Sequence, residues 1–253
     1  MGKSKYFLVI IYWAALFLLC FPMIKQSLLS YKLTKVSAVQ TKVVDQPLNQ
    51  AEAVQPPTFS EIAAFQGTDQ PISAKLLIPS AGFVVSIYPA ITQETLLAGG
   101  GMLFPERRPE KDNLVLLGHH LGNQQLLFGQ LFSLTKKDNI YLYYADEVYH
   151  YQVTATKVIK ETDLSVLAET PKPQLTLITC DTPRQTDQRF VVTADLQKSS
   201  PRTNQTNKTE KKLEKVTTKR NSQNMWLGIG LFFSLAALGT LIILRLLREE
   251  EAQ

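Results

Sequence analysis

The chain has 253 residues, with 27 Lys+Arg against 22 Asp+Glu and a formal net charge of +5. At 45% hydrophobic and 19% charged it is not disordered overall, yet two apolar runs near its ends hold much of the apolar content, leaving about one water-soluble domain. Its 2 Cys form no CxxC, which excludes the usual zinc ribbon and the thioredoxin dithiol, and repeats and long low-complexity tracts are absent.

Residues 1–5 carry Lys3 and Lys5 ahead of the first apolar run, 6–24, which holds no charge. A second uncharged run fills 225–244. At ~1.5 Å per residue each matches a hydrocarbon core of roughly 30 Å. A cleaved signal peptide is the alternative for the first run. Its length, and the lack of a small-x-small site in Phe21-Pro22-Met23-Ile24-Lys25, favour an uncleaved anchor. Tyr6 stands where myristoylation at Gly2 would need Ser or Thr. Two spans put both termini on one side of a membrane. Charge leaves that side open: Lys25, Lys32, Lys35 and the cluster from Lys211 to Arg220 flank the middle, but the rule weighs little for so long a loop.

Residues 25–59 are polar and read as a linker, with helix expected near Leu28 to Val39. Residues 198–224 form a basic Ser/Thr/Asn/Lys stalk that cannot bury a core, and 245–253 a short tail. Its sequons at Asn204 and Asn207 are explained as well by chance. Between them, 60–197 is the folded unit. Strands are expected over 74–78, 83–87, 114–117, 140–145, 148–160, 175–179 and 189–194, with a hairpin turn at Asp146-Glu147. Short helices are expected over 93–98, ended by Gly99-Gly100-Gly101, and near 126–134. The pattern is all-β, a barrel or sandwich with one or two short helices.

Three residue types carry the chemistry. Cys20 lies inside the first apolar run, so Cys180 has no disulfide partner. Cys180 closes the run Leu175-Thr176-Leu177-Ile178-Thr179 before the polar turn Asp181-Thr182-Pro183, and a structural core thiol is the bland reading. His119 and His120 end another apolar run, Asn113 to Gly118. Two strand ends that bring His and Cys together could stabilise a thiolate or protonate a leaving amine. At ordinary pKa values only about 1% of such pairs are imidazolium and thiolate together at pH 7, so another group must help. Arg189, opening the last strand, could meet a developing oxyanion. Zinc is the rival for these residues, but adjacent His119 and His120 face opposite sides of a strand, and His150 sits on a distant hairpin.

Leu117-Gly118-His119-His120 about sixty residues before Thr176-Leu177-Ile178-Thr179-Cys180, with Arg189 nine residues on, resembles the sortase family over roughly 60–197. Leu127-Phe128-Gly129-Gln130-Leu131 resembles the short helical element of class A members. The resemblance implies a closed eight-stranded β-barrel, here flanked by the two transmembrane helices read from the apolar runs, and a cysteine transpeptidase on the outer face of a Gram-positive membrane, which places both termini in the cytoplasm. By position it implies Cys180 as nucleophile, His119 as proton-transfer partner and Arg189 as oxyanion and substrate residue. Thr179 is a further candidate for oxyanion support, and His120 and Arg184 are decoys. Neither a cofactor nor a metal is expected, since Glu106-Arg107-Arg108-Pro109-Glu110-Lys111 mixes signs where some members bind calcium. The implied partners are secreted proteins with an LPxTG-like sorting signal, an amine of a cell-wall precursor and membrane lipid, with no nucleic acid.

One feature departs from class A and another from class C. The C-terminal span is more usual in pilus-assembling class C members. Those members carry an Asp-Pro-aromatic lid, however, whereas this chain has Asp45-Gln46-Pro47, which favours the housekeeping type. A membrane-anchored binding or scaffolding module with a structural Cys180 is the non-enzymatic alternative. A papain-like protease is excluded by order, since those place Cys before His.

Overall fold

The computed structural model describes residues 3–35, 55–121 and 126–249. The Asp45-Gln46-Pro47 stretch and the expected helix beyond Lys35 lie outside the described residues. Eight strands form the central unit: β1 (Ala74–Ile78), β2 (Phe83–Tyr88), β3 (Gly100–Met102), β4 (Asn113–Gly118), β5 (Asn139–Tyr144), β6 (Glu147–Lys160), β7 (Gln174–Cys180) and β8 (Gln188–Pro201). They close into a barrel in the order β1-β2-β3-β4-β7-β8-β6-β5. Four α-helices accompany them: α1 (Lys3–Lys35), α2 (Phe59–Ala64), α3 (Gln93–Ala98) and α4 (Asn204–Glu249). Within the described residues, α1 and α4 each contain a stretch long and apolar enough to cross a membrane.

The barrel follows from alternation. Leu76 and Ile78 of β1, Leu114 and Leu116 of β4, and Val192 and Ala194 of β8 all point inward to one buried cluster. Pairings are antiparallel except β2–β3 and β4–β7. A parallel pair needs a long crossover, and here the chain makes the β5–β6 hairpin between β4 and β7. The hairpin turn falls one residue earlier than the sequence suggests: Tyr144 pairs with Glu147, and Ala145 takes φ 51°.

The starts of β4 and β7 are locked by a buried polar knot. Asn113 donates through Nδ2 to the Val166 and Ala168 carbonyls at 3.0 and 2.9 Å, and accepts from the Thr176 hydroxyl at 2.7 Å. Every polar atom of that side chain is thereby satisfied at a place sealed from water.

The far end of β4 is set by a steric notch. Gly100 and Gly118 are paired across β3 and β4, and the Phe128 ring fills the gap they leave. This explains the unexpected strand: the run Gly99-Gly100-Gly101 ends α3 and then supplies β3, where a side chain would collide. A Cβ on Gly118 would lie 2.4 Å from the ring, and one on Gly100 2.9 Å from it. Phe128 also donates its backbone N–H to the His119 carbonyl at 3.1 Å. The notch thus fixes the backbone at the first residue past β4.

Gly118→Ala should therefore lower stability by ~1–3 kcal/mol, the usual effect of overpacking a closed core. Adding Phe128→Leu should recover part of that loss. Thermal melts of the two single variants and the double check this, and strictly additive losses would show that ring and glycine do not compete for the same space.

Candidate active site

Three neighbouring strand ends bring the expected residues together. β4 and β7 run parallel with Leu117 opposite Ile178, and β7 and β8 run antiparallel with Cys180 opposite Arg189. Val115, Ile178 and Val191 pack on the outside of the barrel, whereas Leu116, Leu177 and Val192 point inward. Counting on by twos, His119, Cys180 and Arg189 share the outer face. Cys180 stands on the middle strand, with β4, which runs into His119, on one side and β8, which carries Arg189, on the other, each ~4.8 Å away in the sheet.

Cys180 is 8% exposed and lies outside the barrel core, on the wall of a pocket of roughly 530 Å³. Gln55, Pro56, Glu161, Thr186 and Arg189 are among the other walls. Burial pushes the thiol pKa up and the Arg189 charge pulls it back, while Asp181 and Glu161 push it up further. Arg189 is engaged by its own surroundings. It donates to the Thr186 and Gln188 carbonyls at 2.8 and 2.9 Å and pairs with Glu161 at 2.6 Å. That ion pair is half open to water, so it holds the guanidinium weakly. Arg184 is exposed in the β7–β8 loop.

The two histidines differ sharply. His119 is 2% exposed, and its Nε2 is buried without a hydrogen-bond partner among the described residues. Burial pushes its pKa down to about 4, with Glu61 of α2 pulling it up and Lys25 of α1 pushing it down further. His120 sits with Nδ1 3.2 Å from the Cys180 carbonyl. Its ring packs on Phe132 at 4.7 Å, which stacks on Phe190 of β8 at 4.3 Å. His120 thus braces the main chain at Cys180 rather than its thiol. Thr179 points to the opposite side from the thiol, and its hydroxyl donates to the Gly118 carbonyl at 2.8 Å. It ties β7 to β4.

Sequence reasoning missed Glu161, Gln55, Pro56 and Glu61. None carries a local signal. Glu161 follows β6, and its backbone N–H bonds the Asp187 carbonyl at 2.7 Å, a neighbour only the closed barrel creates.

The sortase-domain family profile matches residues 76–197. Over 205 residues the chain is 31% identical to sortase A of Listeria monocytogenes, an alignment covering 78% of this chain and 92% of that protein. The chain belongs to the sortase family. Sortase A of Bacillus anthracis is 29% identical over 157 residues, 62% of this chain and 72% of that protein. The crystal structure of Listeria monocytogenes sortase A superposes with a TM-score of 0.53 at 33% identity, covering 55% of this chain and 95% of that one. This sortase resembles class A and is a cysteine transpeptidase acting on proteins with cell-wall sorting signals.

The depressed value of His119 sets the sign of a pH effect. Its ordinary value is about 6.5, so between roughly pH 6.5 and 4 the unfolded chain holds a proton that the folded one lacks. Stability should fall as pH drops through that window, by up to ~3 kcal/mol in all, and level off below it. Thermal melts from neutral to mildly acidic pH should show the slope, and His119→Gln should flatten most of it. An unchanged slope in that variant would place the acid sensitivity elsewhere.

Proposed function

We propose that this sortase cleaves an LPxTG-like sorting signal between Thr and Gly and transfers the new carboxyl end to an amine of a cell-wall precursor. The observation that carries the reading is the placement of His119, Cys180 and Arg189 at neighbouring strand ends on one outer face, with Cys180 and Arg189 lining a pocket. The Cys180 sulfur attacks the Thr carbonyl carbon, and its proton passes to His119 Nε2, a buried ring nitrogen without a hydrogen-bond partner among the described residues. His119 returns the proton to the Gly nitrogen as the C–N bond breaks, leaving a thioester. The acceptor amine then attacks that carbonyl and restores the thiol. Arg189 releases Glu161 or a loop carbonyl to donate to the oxyanion. Thr179 supports the oxyanion region by fixing the junction of β4 and β7.

The apolar parts of α1 and α4 cross the membrane in this reading, with the barrel outside and both termini cytoplasmic. The orientation follows from the location of cell-wall substrates. A pilin-polymerising role is the second reading, favoured by the C-terminal apolar helix alone.

Incubation with an LPxTG peptide, with and without an amine, should give a thioester adduct by mass, and Cys180→Ala should abolish it. Absence of both adduct and cleavage across several signal variants would remove the proposal. His119→Ala should lower kcat/KM by ~10² to 10⁴ and His120→Ala far less; the reverse order would move the proton transfer to His120. Arg189→Lys keeps the charge but loses the planar fork, and should lower activity ~10²-fold with an unchanged melt. Arg184→Ala should shift affinity at most. Near-normal Arg189→Lys beside an inactive Arg184→Ala would reassign the third residue.

A further inference from the structure

The two apolar helices do more than leave the barrel. α1 and α4 lie antiparallel and touch closely: the Tyr12 hydroxyl donates to the Leu235 carbonyl at 2.6 Å, and Leu16, Cys20 and Ala236 are buried together. A Cβ on Gly228 would lie 2.1 Å from Ser27 Oγ, and one on Gly239 would lie 2.0 Å from the Tyr12 hydroxyl, so small residues permit the approach.

Each helix then continues past its apolar run and grips the barrel. α4 stays helical through the basic stalk. Its Glu210 and Glu214 accept from Lys75 of β1 at 2.7 and 2.6 Å, and Glu210 also pairs with Arg202. Lower down, the Thr217 hydroxyl accepts from the Val84 N–H at 3.1 Å, and Arg220 donates to the Ala81 carbonyl at 2.9 Å. On the other side Leu29 of α1 is buried with Ile62 of α2, Tyr88 of β2, Leu97 of α3 and Leu126. Lys32 donates to the Ala63 carbonyl at 3.2 Å. A barrel held at two separate faces cannot swing as one on a flexible tether would.

The height at which it is held can be read from α1. The first apolar run ends at Ile24, and the next residue, Lys25, donates to the Pro57 carbonyl at 2.6 Å. One turn earlier, Phe21 packs on Phe59 of α2 at 5.2 Å, an aromatic pair where a bilayer gives way to water. Gln55, two residues before Pro57, already lines the pocket with Cys180, and two residues of extended chain reach at most ~7 Å. Pro56 between them lines it as well. The wall of the cleft is therefore made of chain anchored to the boundary residue of the first span.

We infer that α1 and α4 form a fixed mount that holds the Cys180 cleft at the membrane–water boundary, so that the enzyme selects scissile bonds lying within a few residues of the bilayer. This rests on the acyl-transfer and membrane-spanning reading above and adds to it a restriction on distance. Lys25, Phe59, Lys75 and Glu210 are positioning residues in this sense, acting on where the cleft stands rather than on the bond being broken. A substrate anchored just beyond its scissile bond presents that bond at the right height. One that ends in a long flexible segment is diluted over a larger volume, and the effective concentration falls roughly as the −3/2 power of spacer length.

Two measurements on the full chain in phosphatidylcholine–phosphatidylglycerol vesicles test this. First, in a Cys20→Ala variant, a fluorophore placed on Cys180 should be strongly quenched by a quencher attached to lipid headgroups. An unquenched probe overturns the mount, whether or not the enzyme is active. Second, an LPxTG peptide is joined to a lipid anchor through a Gly/Ser spacer of ~6 residues, with r.m.s. length ~13 Å, or of ~40 residues. The short spacer should be cut about tenfold faster. The unanchored peptide reports the chemistry alone. A flexible insert of ~10 Gly/Ser residues after Gln223, combined with Leu29→Ser, should erase the preference while leaving the unanchored peptide cut at an unchanged rate. Equal rates for both spacers, or a preference that survives the insert, overturn the inference while leaving the acyl-transfer reading intact. Failure to cut even the unanchored peptide removes the acyl-transfer reading and the distance selection with it, and the quenching result still decides the position of the cleft.

Discussion

Parallel pairing of β4 with β7 is the constraint on which the site depends. It sets Leu117 beside Ile178, so that the two strands run out together and deliver His119 and Cys180 to the same edge and face. An antiparallel pairing would have sent one of them to the opposite end of the barrel. The pairing is pinned at its start by Asn113, and at its end by the Thr179 hydroxyl on the Gly118 carbonyl and the Phe128 ring in its notch. A slip of one residue would turn His119 inward and His120 outward. The polar knot and the steric notch make such a slip expensive at both ends.

Electrostatics at that edge hold the pair neutral. Burial acts in opposite directions on the two groups, pushing the Cys180 thiol up and the His119 imidazole down. The Arg189 charge works against this for the thiol. Its occupation by Glu161 and by loop carbonyls keeps the guanidinium oriented without binding it tightly, which suits the proposed donation to a transient negative charge.

Most of the barrel was legible in the sequence because its strands are short runs rich in Val, Ile, Leu and Tyr, separated by Gly, Pro, Asp and Asn. β3 was not, since Gly100 and Gly101 have no side chains to alternate, and the reason for the strand lies in Phe128, nearly thirty residues away. The positions of His119, Cys180 and Arg189 at strand ends were legible, and the roles proposed for them rest on that placement. Glu161, Gln55 and Glu61 were not, because each reaches the site through a long-range contact with no local pattern. The polar half of α4 was read as a stalk without a core, and it buries little apolar surface beyond Leu213. It is helical all the same, held to the barrel by Lys75, Arg202 and backbone carbonyls rather than by an apolar stripe.

The strand order also bears on when the cleft comes into being during synthesis. β4 is made early but waits through β5 and β6 for β7, and β8 must then insert between β7 and β6 before the barrel can close. Cys180 and Arg189 therefore enter the fold in its last two strands, just ahead of α4. Pairings of such long sequence separation form slowly. A chain emerging from the ribosome has its first apolar helix made long before Cys180 lies beside Arg189. Under the proposed chemistry the nascent protein is silent until β8 seats, and acylation of an unfinished enzyme is avoided by the order in which its parts arrive.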